Sequence, residues 1–310
     1  MKTQNPIQKN LPFFVIFLIL VLFFLIIISE EILAGEFDNP RPEWIFYSGW
    51  ETAIGSTEKA ITDDGRWGEY KYVPNLKVIN NPPSGGPNDG NVLRIHWTAY
   101  DGRDCSDGSN NFVEHIVDDG EFPNPMYMRV YFYSEDPSAY PGCAGRKFFQ
   151  ISDAAGRGGT VGLYLYDVGN NRVGLTVKNF QHNGGGDNCP TCYYLNGGYQ
   201  YPGQEDVGII EKDRWYCVEF AVYRHNTNGW VKVWLDGKLV INASKEAWGT
   251  GRYDTQAYDR LSNWLEMPSY RNGGTKTDHY EYFDSFIISR SHIGPVSSSE
   301  SDDSPNPPPH

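Results

Sequence analysis

The sequence predicts an all-β chain folded as a two-sheet antiparallel β-sandwich of jelly-roll type, and three observations carry that expectation. Apolar and polar residues alternate with a period of two in segment after segment, as strands with one buried face require. The joins are rich in turn formers, with 33 Gly and 20 Pro in 310 residues. No 3.6-residue apolar period runs through residues 36–296, so the 39 % of hydrophobic residues has to be buried by sheets.

Both ends lie outside this expected domain. Leu11 to Ile28 is an 18-residue apolar run broken only by Pro12, with Lys2 and Lys9 before it and Glu30 and Glu31 after. It reads as a signal peptide or an uncleaved membrane anchor occupying residues 1–35, with the positive flank inside. The rest of the chain is then extracellular, either secreted or anchored on the outer face of the membrane. Residues 297–310, SSSESDDSPNPPPH, offer nothing that packs and form a solvated tail.

Between these ends the strands follow in order. In 93–97, Leu93, Ile95 and Trp97 take one face and Arg94 and His96 the other. In 126–133, Met126, Met128, Val130 and Phe132 oppose Tyr127, Arg129, Tyr131 and Tyr133. Phe149 and Ile151 turn inward, with Phe148, Gln150 and Ser152 outward. Leu163 and Leu165 oppose Tyr164 and Tyr166, and Val173, Leu175 and Val177 oppose Gly174, Thr176 and Lys178. Later strands are expected in 215–224, 230–241 and 281–289, with Asp236-Gly237 as a tight hairpin turn. Because consecutive strands are often neighbours, the four from Met126 to Phe180 are expected in one sheet. That sheet would bury an aliphatic face and present Tyr127, Arg129, Tyr131, Gln150, Tyr164, Tyr166 and Lys178 as a groove. With Tyr133, five tyrosines on the outward phase exceed what a solvated face needs, and aromatic rings stack on the apolar faces of sugars.

A formal charge of −13 argues against a nucleic-acid partner, which calls for a basic footprint. Five cysteines in the exported part permit disulfides. Cys189 and Cys192 form a CxxC without the further ligands of a zinc site and read as a loop staple. Cys105 and Cys143 could pair, which leaves Cys217 free as a small strand residue. Asp63-Asp64-Gly65, Asn88-Asp89-Gly90 and Asp118-Asp119-Gly120 are oxygen-rich turns, and Asn242-Ala243-Ser244 matches a glycosylation sequon.

Trp215-Tyr216-Cys217-Val218-Glu219-Phe220, followed by Asn228-Gly229-Trp230-Val231-Lys232-Val233-Trp234-Leu235-Asp236-Gly237-Lys238, resembles the W-x-x-V-E … G-x-x-x-x-W-x-D-G-K hairpin of concanavalin A-like jelly rolls. Tyr280 to Ser289, closing on Ile293-Gly294-Pro295, resembles the Y-x-D-x-x-V-I-S … I-G-P terminus of the polysaccharide-lyase-like branch of the concanavalin A-like lectin/glucanase superfamily. The resemblance spans residues 37–296. It implies a jelly roll with a concave groove and, from the alginate and glucuronan lyases, an Arg-rich strand, a Gln-x-His strand and a Tyr-rich strand. Arg129 stands for the arginine and Tyr164 and Tyr166 for the tyrosine. Gln150 is followed by Ser152 where the pattern has histidine, so a histidine would come from His182, His115 or His96. The resemblance also implies one structural Ca²⁺ near the chain termini, with Asp284 as its ligand.

The implied chemistry is β-elimination on a 4-linked uronate. Arg129 and Gln150 would neutralise the carboxylate so that the C5 proton becomes acidic. Tyr164, Tyr166 or His182 would move protons. Tyr127, Tyr131, Lys147, Lys178 and His115 would bind substrate, and no cofactor is needed for catalysis. The expected partner is an acidic or neutral polysaccharide, bound by a monomer. A glycoside hydrolase is disfavoured by the lack of an E-x-D-x-x-E run. A non-catalytic carbohydrate-binding or adhesion module, using the same aromatic face, is the alternative.

Overall fold

The computed structural model describes residues 40–51, 54–55, 67–71, 75–87, 90–98, 114–117, 122–137, 146–152, 160–169, 172–180, 193–196, 208–223, 229–243, 264–267 and 277–296. The strands in chain order are β1 (Trp44–Ser48), β2 (Trp67–Lys71), β3 (Leu76–Ile79), β4 (Val92–Trp97), β5 (Glu114–Val117), β6 (Met126–Ser134), β7 (Arg146–Ser152) and β8 (Thr160–Gly169). They continue as β9 (Arg172–Phe180), β10 (Tyr193–Asn196), β11 (Ile209–Glu211), β12 (Trp215–Tyr223), β13 (Trp230–Leu235), β14 (Lys238–Ala243), β15 (Trp264–Met267) and β16 (His279–Ser289).

The strands form two eight-stranded sheets. Sheet A runs β14-β13-β12-β6-β16-β4-β3, with β1 also paired to β16. Sheet B runs β10-β9-β8-β7-β15-β5-β2, with β11 also paired to β9. Every pairing is antiparallel. The jelly-roll sandwich expected from the sequence is the fold observed.

Alternation decides which face each strand buries. Met126, Met128, Val130 and Phe132 of sheet A share one core with Val161, Leu163, Leu165, Val173, Leu175 and Val177 of sheet B. Each fully buried side chain of this size stabilises the fold by roughly 1.5–3 kcal/mol. The Asp236-Gly237 turn forms as expected, with φ of 50° and 76° at its two residues. Both values lie in the left-handed region that a two-residue hairpin requires.

The structure corrects the sequence reading at two points. Phe148 was expected outward, yet Phe148 and Phe149 are both in the core. A bulge between Lys147 and Phe149 shifts the register, so two consecutive rings turn inward. Phe148 meets Phe132 at 4.9 Å, and Phe149 stacks on Phe220 at 6.2 Å. The second correction is larger. β6 is not a neighbour of β7, β8 and β9; it lies in sheet A between β12 and β16. Alternation fixes which face a residue takes but does not fix which strand sits alongside.

Candidate functional site

The face of sheet B turned away from the core gathers part of the expected groove. Antiparallel register sets side chains opposite one another on the same face, with Cβ atoms about 4.5–5.5 Å apart. One row across the sheet is Ile116, Glu266, Gln150, Gly162, Lys178 and Tyr194. The next row is Lys147, Tyr164, Thr176 and Asn196. Tyr166 opens the row after that, opposite Gly174. The ladder thus brings positions 150, 164, 166, 147 and 178 to one face, as alternation implied for all but position 147, which the bulge in β7 shifts there.

Gly162 shapes the middle of this face. A Cβ at that position would lie 2.6 Å from Cε2 and 3.3 Å from Cζ of Tyr164. The ring of Tyr164 therefore folds back across the space that Gly162 leaves empty. Its hydroxyl-bearing end leads, so the phenol is carried from its own row into the row of Gln150. Tyr164 and Thr176 are each only 2 % exposed although they face away from the core. This part of sheet B is a covered floor. The phenol of Tyr164, the amide of Gln150 and the hydroxyl of Thr176 on this face form an inventory that can bind an anion and move a proton.

Tyr127, Arg129 and Tyr131 lie elsewhere, on the outer face of sheet A, and the groove they were expected to share with Tyr164 does not form. Arg129 is 1 % exposed. Its guanidinium donates to the carbonyl oxygens of Gly294 and Ser285, each at 3.2 Å, and lies 5.2 Å from the Tyr131 ring centroid. The Tyr131 hydroxyl accepts from the Val296 N–H at 2.7 Å. Glu219, paired with Arg129 across the ladder, is also 1 % exposed. Its carboxylate accepts from the N–H groups of Ile293 and Gly294, each at 2.9 Å, and meets His292 Nδ1 at 3.0 Å. These residues form a clasp that holds the segment from Arg290 to Val296 against sheet A.

His115 stands opposite Met267 in the ladder. Met267 is a core residue, so the position belongs to the inner face of the sheet and not to the groove face. His96 is half-buried on the outer side of sheet A, stacked at 4.8 Å on Tyr280. His182, Cys105, Cys143, Cys189, Cys192, the Asp63 and Asp118 turns, Asn88-Asp89, the apolar run 11–28 and the tail 297–310 lie outside the described residues. Among the described residues no helix is long and apolar enough to cross a membrane. Cys217 is a free, buried thiol, and burial pushes its pKa to about 12.

Asp284 is fully buried where β16 loses register against β6, and it accepts from the Ser285 hydroxyl at 3.3 Å. Among the described residues no three His, Cys, Asp or Glu side chains gather into a metal-holding group.

Sequence reasoning missed Glu266, which stands beside Gln150 in the row. β15 has only four residues, too few for alternation to register. It also passed over Gly162, whose role depends on the ring two residues along.

No protein-family model matches the sequence, and comparison with curated proteins finds no match. Comparison with solved structures gives distant likenesses. The cellulose-induced protein Cip1 aligns with a TM-score of 0.47 and 11 % identity, covering 80 % of this chain and 99 % of that one. An endo-β-1,4-glucuronan lyase from the fungus Trichoderma reesei aligns at 0.43 and 12 % identity, covering 80 % and 96 %. A structure from work on endo-acting O-glycanases of the human gut microbiota aligns at 0.43 and 12 %, covering 80 % and 100 %.

Proposed function

We propose that the chain is a polysaccharide lyase that cleaves a 4-linked uronate polymer by β-elimination on the outer face of sheet B. The observation that carries this reading is the Tyr164 ring folded across Gly162, in the ladder row that Gly162 shares with Gln150. In the proposed reaction the Gln150 amide, with the lysines at positions 147 and 178, holds the uronate carboxylate and stabilises the charge that spreads onto it as the C5 proton leaves. A base takes that proton. The electron pair forms the C4–C5 double bond, the C4–O bond breaks, and the leaving oxygen is protonated. Tyr164 is the group assigned to the proton transfers in this proposal. It acts as acid toward the leaving oxygen and, as phenolate beside the lysine positions, as base toward C5. Tyr166 and His182 are the further candidates for the second proton. Arg129 has no part in this chemistry, because it belongs to the other sheet and to the clasp. The protein is proposed to act outside the cell, exported or anchored through residues 11–28.

The test is the purified chain against a panel of polyuronates, followed by ultraviolet absorbance of the unsaturated product. Tyr164→Phe keeps the ring and removes the hydroxyl, so turnover should fall roughly 10²–10⁴-fold, the usual worth of positioned acid–base catalysis, with polymer affinity unchanged. Wild-type protein that binds a polyuronate yet releases no unsaturated ends would overturn the lyase in favour of a carbohydrate-binding module.

A further inference from the structure

The outer face of sheet A carries an aromatic surface that the proposed chemistry does not use. Tyr127 on β6, Tyr223 on β12, and Trp230 and Trp234 on β13 are half-buried there. Their rings are in sequence: Tyr223 to Trp230 at 5.9 Å, Trp230 to Tyr127 at 6.1 Å, and Tyr127 to Trp234 at 6.2 Å. They surround Ala221, whose methyl leaves them room. Leu239, 42 % exposed and opposite Trp234, extends the apolar area to β14. Polar groups edge it: Lys232 and Asn242 face each other in the ladder, and the Lys232 ammonium lies 4.8 Å from the Trp230 ring centroid.

We infer that this surface is a second binding site for an anionic polysaccharide, separate from the Tyr164 floor on the opposite side of the sandwich. Planar rings with hydrogen-bonding groups at their edges match a pyranose, which has apolar C–H faces and a hydroxyl rim. Charge selects the kind of polymer. The chain carries −13 overall, and on the described outer-face positions of β6, β12, β13 and β14 the one carboxylate is Glu219. That carboxylate is buried and satisfied by the N–H groups of Ile293 and Gly294. An acidic polymer repelled elsewhere meets here a cation beside stacking rings. The inference rests on the reading of the protein as one that acts on polyuronates, and adds to it a surface that holds the polymer without reacting with it. The two surfaces lie on opposite sides of the sandwich, so only a chain of many sugars, rounding its edge, can reach both, while a short oligosaccharide occupies one.

The experiment compares the full chain with Trp230→Ala and Lys232→Glu, both away from the clasp. Polymer affinity is measured by titration with long polyglucuronate, and turnover with its tetrasaccharide. Each variant should bind the long polymer about tenfold or more weakly and turn over the tetrasaccharide as wild type does. The Lys232→Glu defect should shrink at about 0.5 M salt, where exposed charges are screened. Polymer affinity within about twofold of wild type in both variants would overturn the inference. The two readings fail separately. Wild type that makes no unsaturated ends, with variants that lose polymer affinity, removes the lyase and keeps this surface. Variants that bind as wild type, in a protein whose turnover depends on Tyr164, remove the surface and keep the lyase.

Discussion

Gly162 and Arg129 show how single side chains divide the two faces of the molecule. At Gly162 even a methyl group would sit 2.6 Å from the Tyr164 ring and 3.0 Å from the Phe149 carbonyl oxygen. Gly162→Ala therefore has to displace the ring. Turnover of a polyuronate should fall toward that of Tyr164→Phe while the protein stays folded, as paired kinetic and thermal-melting measurements would show. Arg129 predicts the opposite pattern. Arg129→Ala leaves the Gly294 and Ser285 carbonyls without their charged donor, a loss of roughly 2–5 kcal/mol for one buried and one part-buried charge-assisted bond. The denaturation midpoint should drop markedly, with turnover per folded molecule preserved. The outward phase of Tyr164 and Arg129 was legible in the sequence, because alternation over β6 and β8 is regular. Their assignment to different sheets was not, because strand neighbours are set by packing over long sequence distances that a local pattern does not encode.

At the scale of elements, the C-terminal segment after β16 behaves as part of sheet A. His292 packs on Trp234 at 4.7 Å, a Cβ on Gly237 would meet Pro295 at 3.2 Å, and Glu219 and Tyr131 accept the backbone N–H groups of Ile293, Gly294 and Val296. Removing everything after Arg290 would strand the buried Glu219 carboxylate, with a penalty of several kcal/mol. A chain ending at Val296 should melt like the full-length protein, whereas one ending at Arg290 should melt far lower or fail to fold. The W-x-x-V-E and I-G-P segments stood out in the sequence as separate signatures. The structure gives their common reason, since the glutamate of the first caps the backbone of the second. The β7 bulge was invisible beforehand, because Lys147-Phe148-Phe149 fits either phase until the opposing core rings are in place.

For the molecule as a whole, alkaline stability follows from groups that titrate higher when folded. Burial, then the nearby Asp213 charge, raises Tyr133 from 10.0 to about 12. Burial likewise raises the Cys217 thiol from 9.0 to about 12, and Tyr127, Tyr216 and Tyr282 move in the same direction. As pH rises, the unfolded chain sheds these protons first. The stabilisation is present in full below the unfolded values, shrinks as pH climbs from 9.0 for the thiol and 10.0 for the phenols, and is gone above the folded values of about 12. Melting temperature should be insensitive to these groups at neutral pH and fall steeply above pH 10.0. Tyr133→Phe should make that alkaline decline shallower, as melting curves across the range would record.

β16 is the centre of sheet A. It separates β6 from β4 and is the one partner of β1 among the described residues. Tyr47 near one end of the described chain lies opposite Ile287 near the other. During synthesis, β1, β4 and β6 therefore leave the ribosome with open edges and no central strand to join them. Sheet A cannot close until residues 279–289 have emerged. Pairing over so long a separation is slow, so the β6 and β4 halves of sheet A stay unjoined late into translation. In that window the nascent chain is open to proteases and to edge-to-edge association.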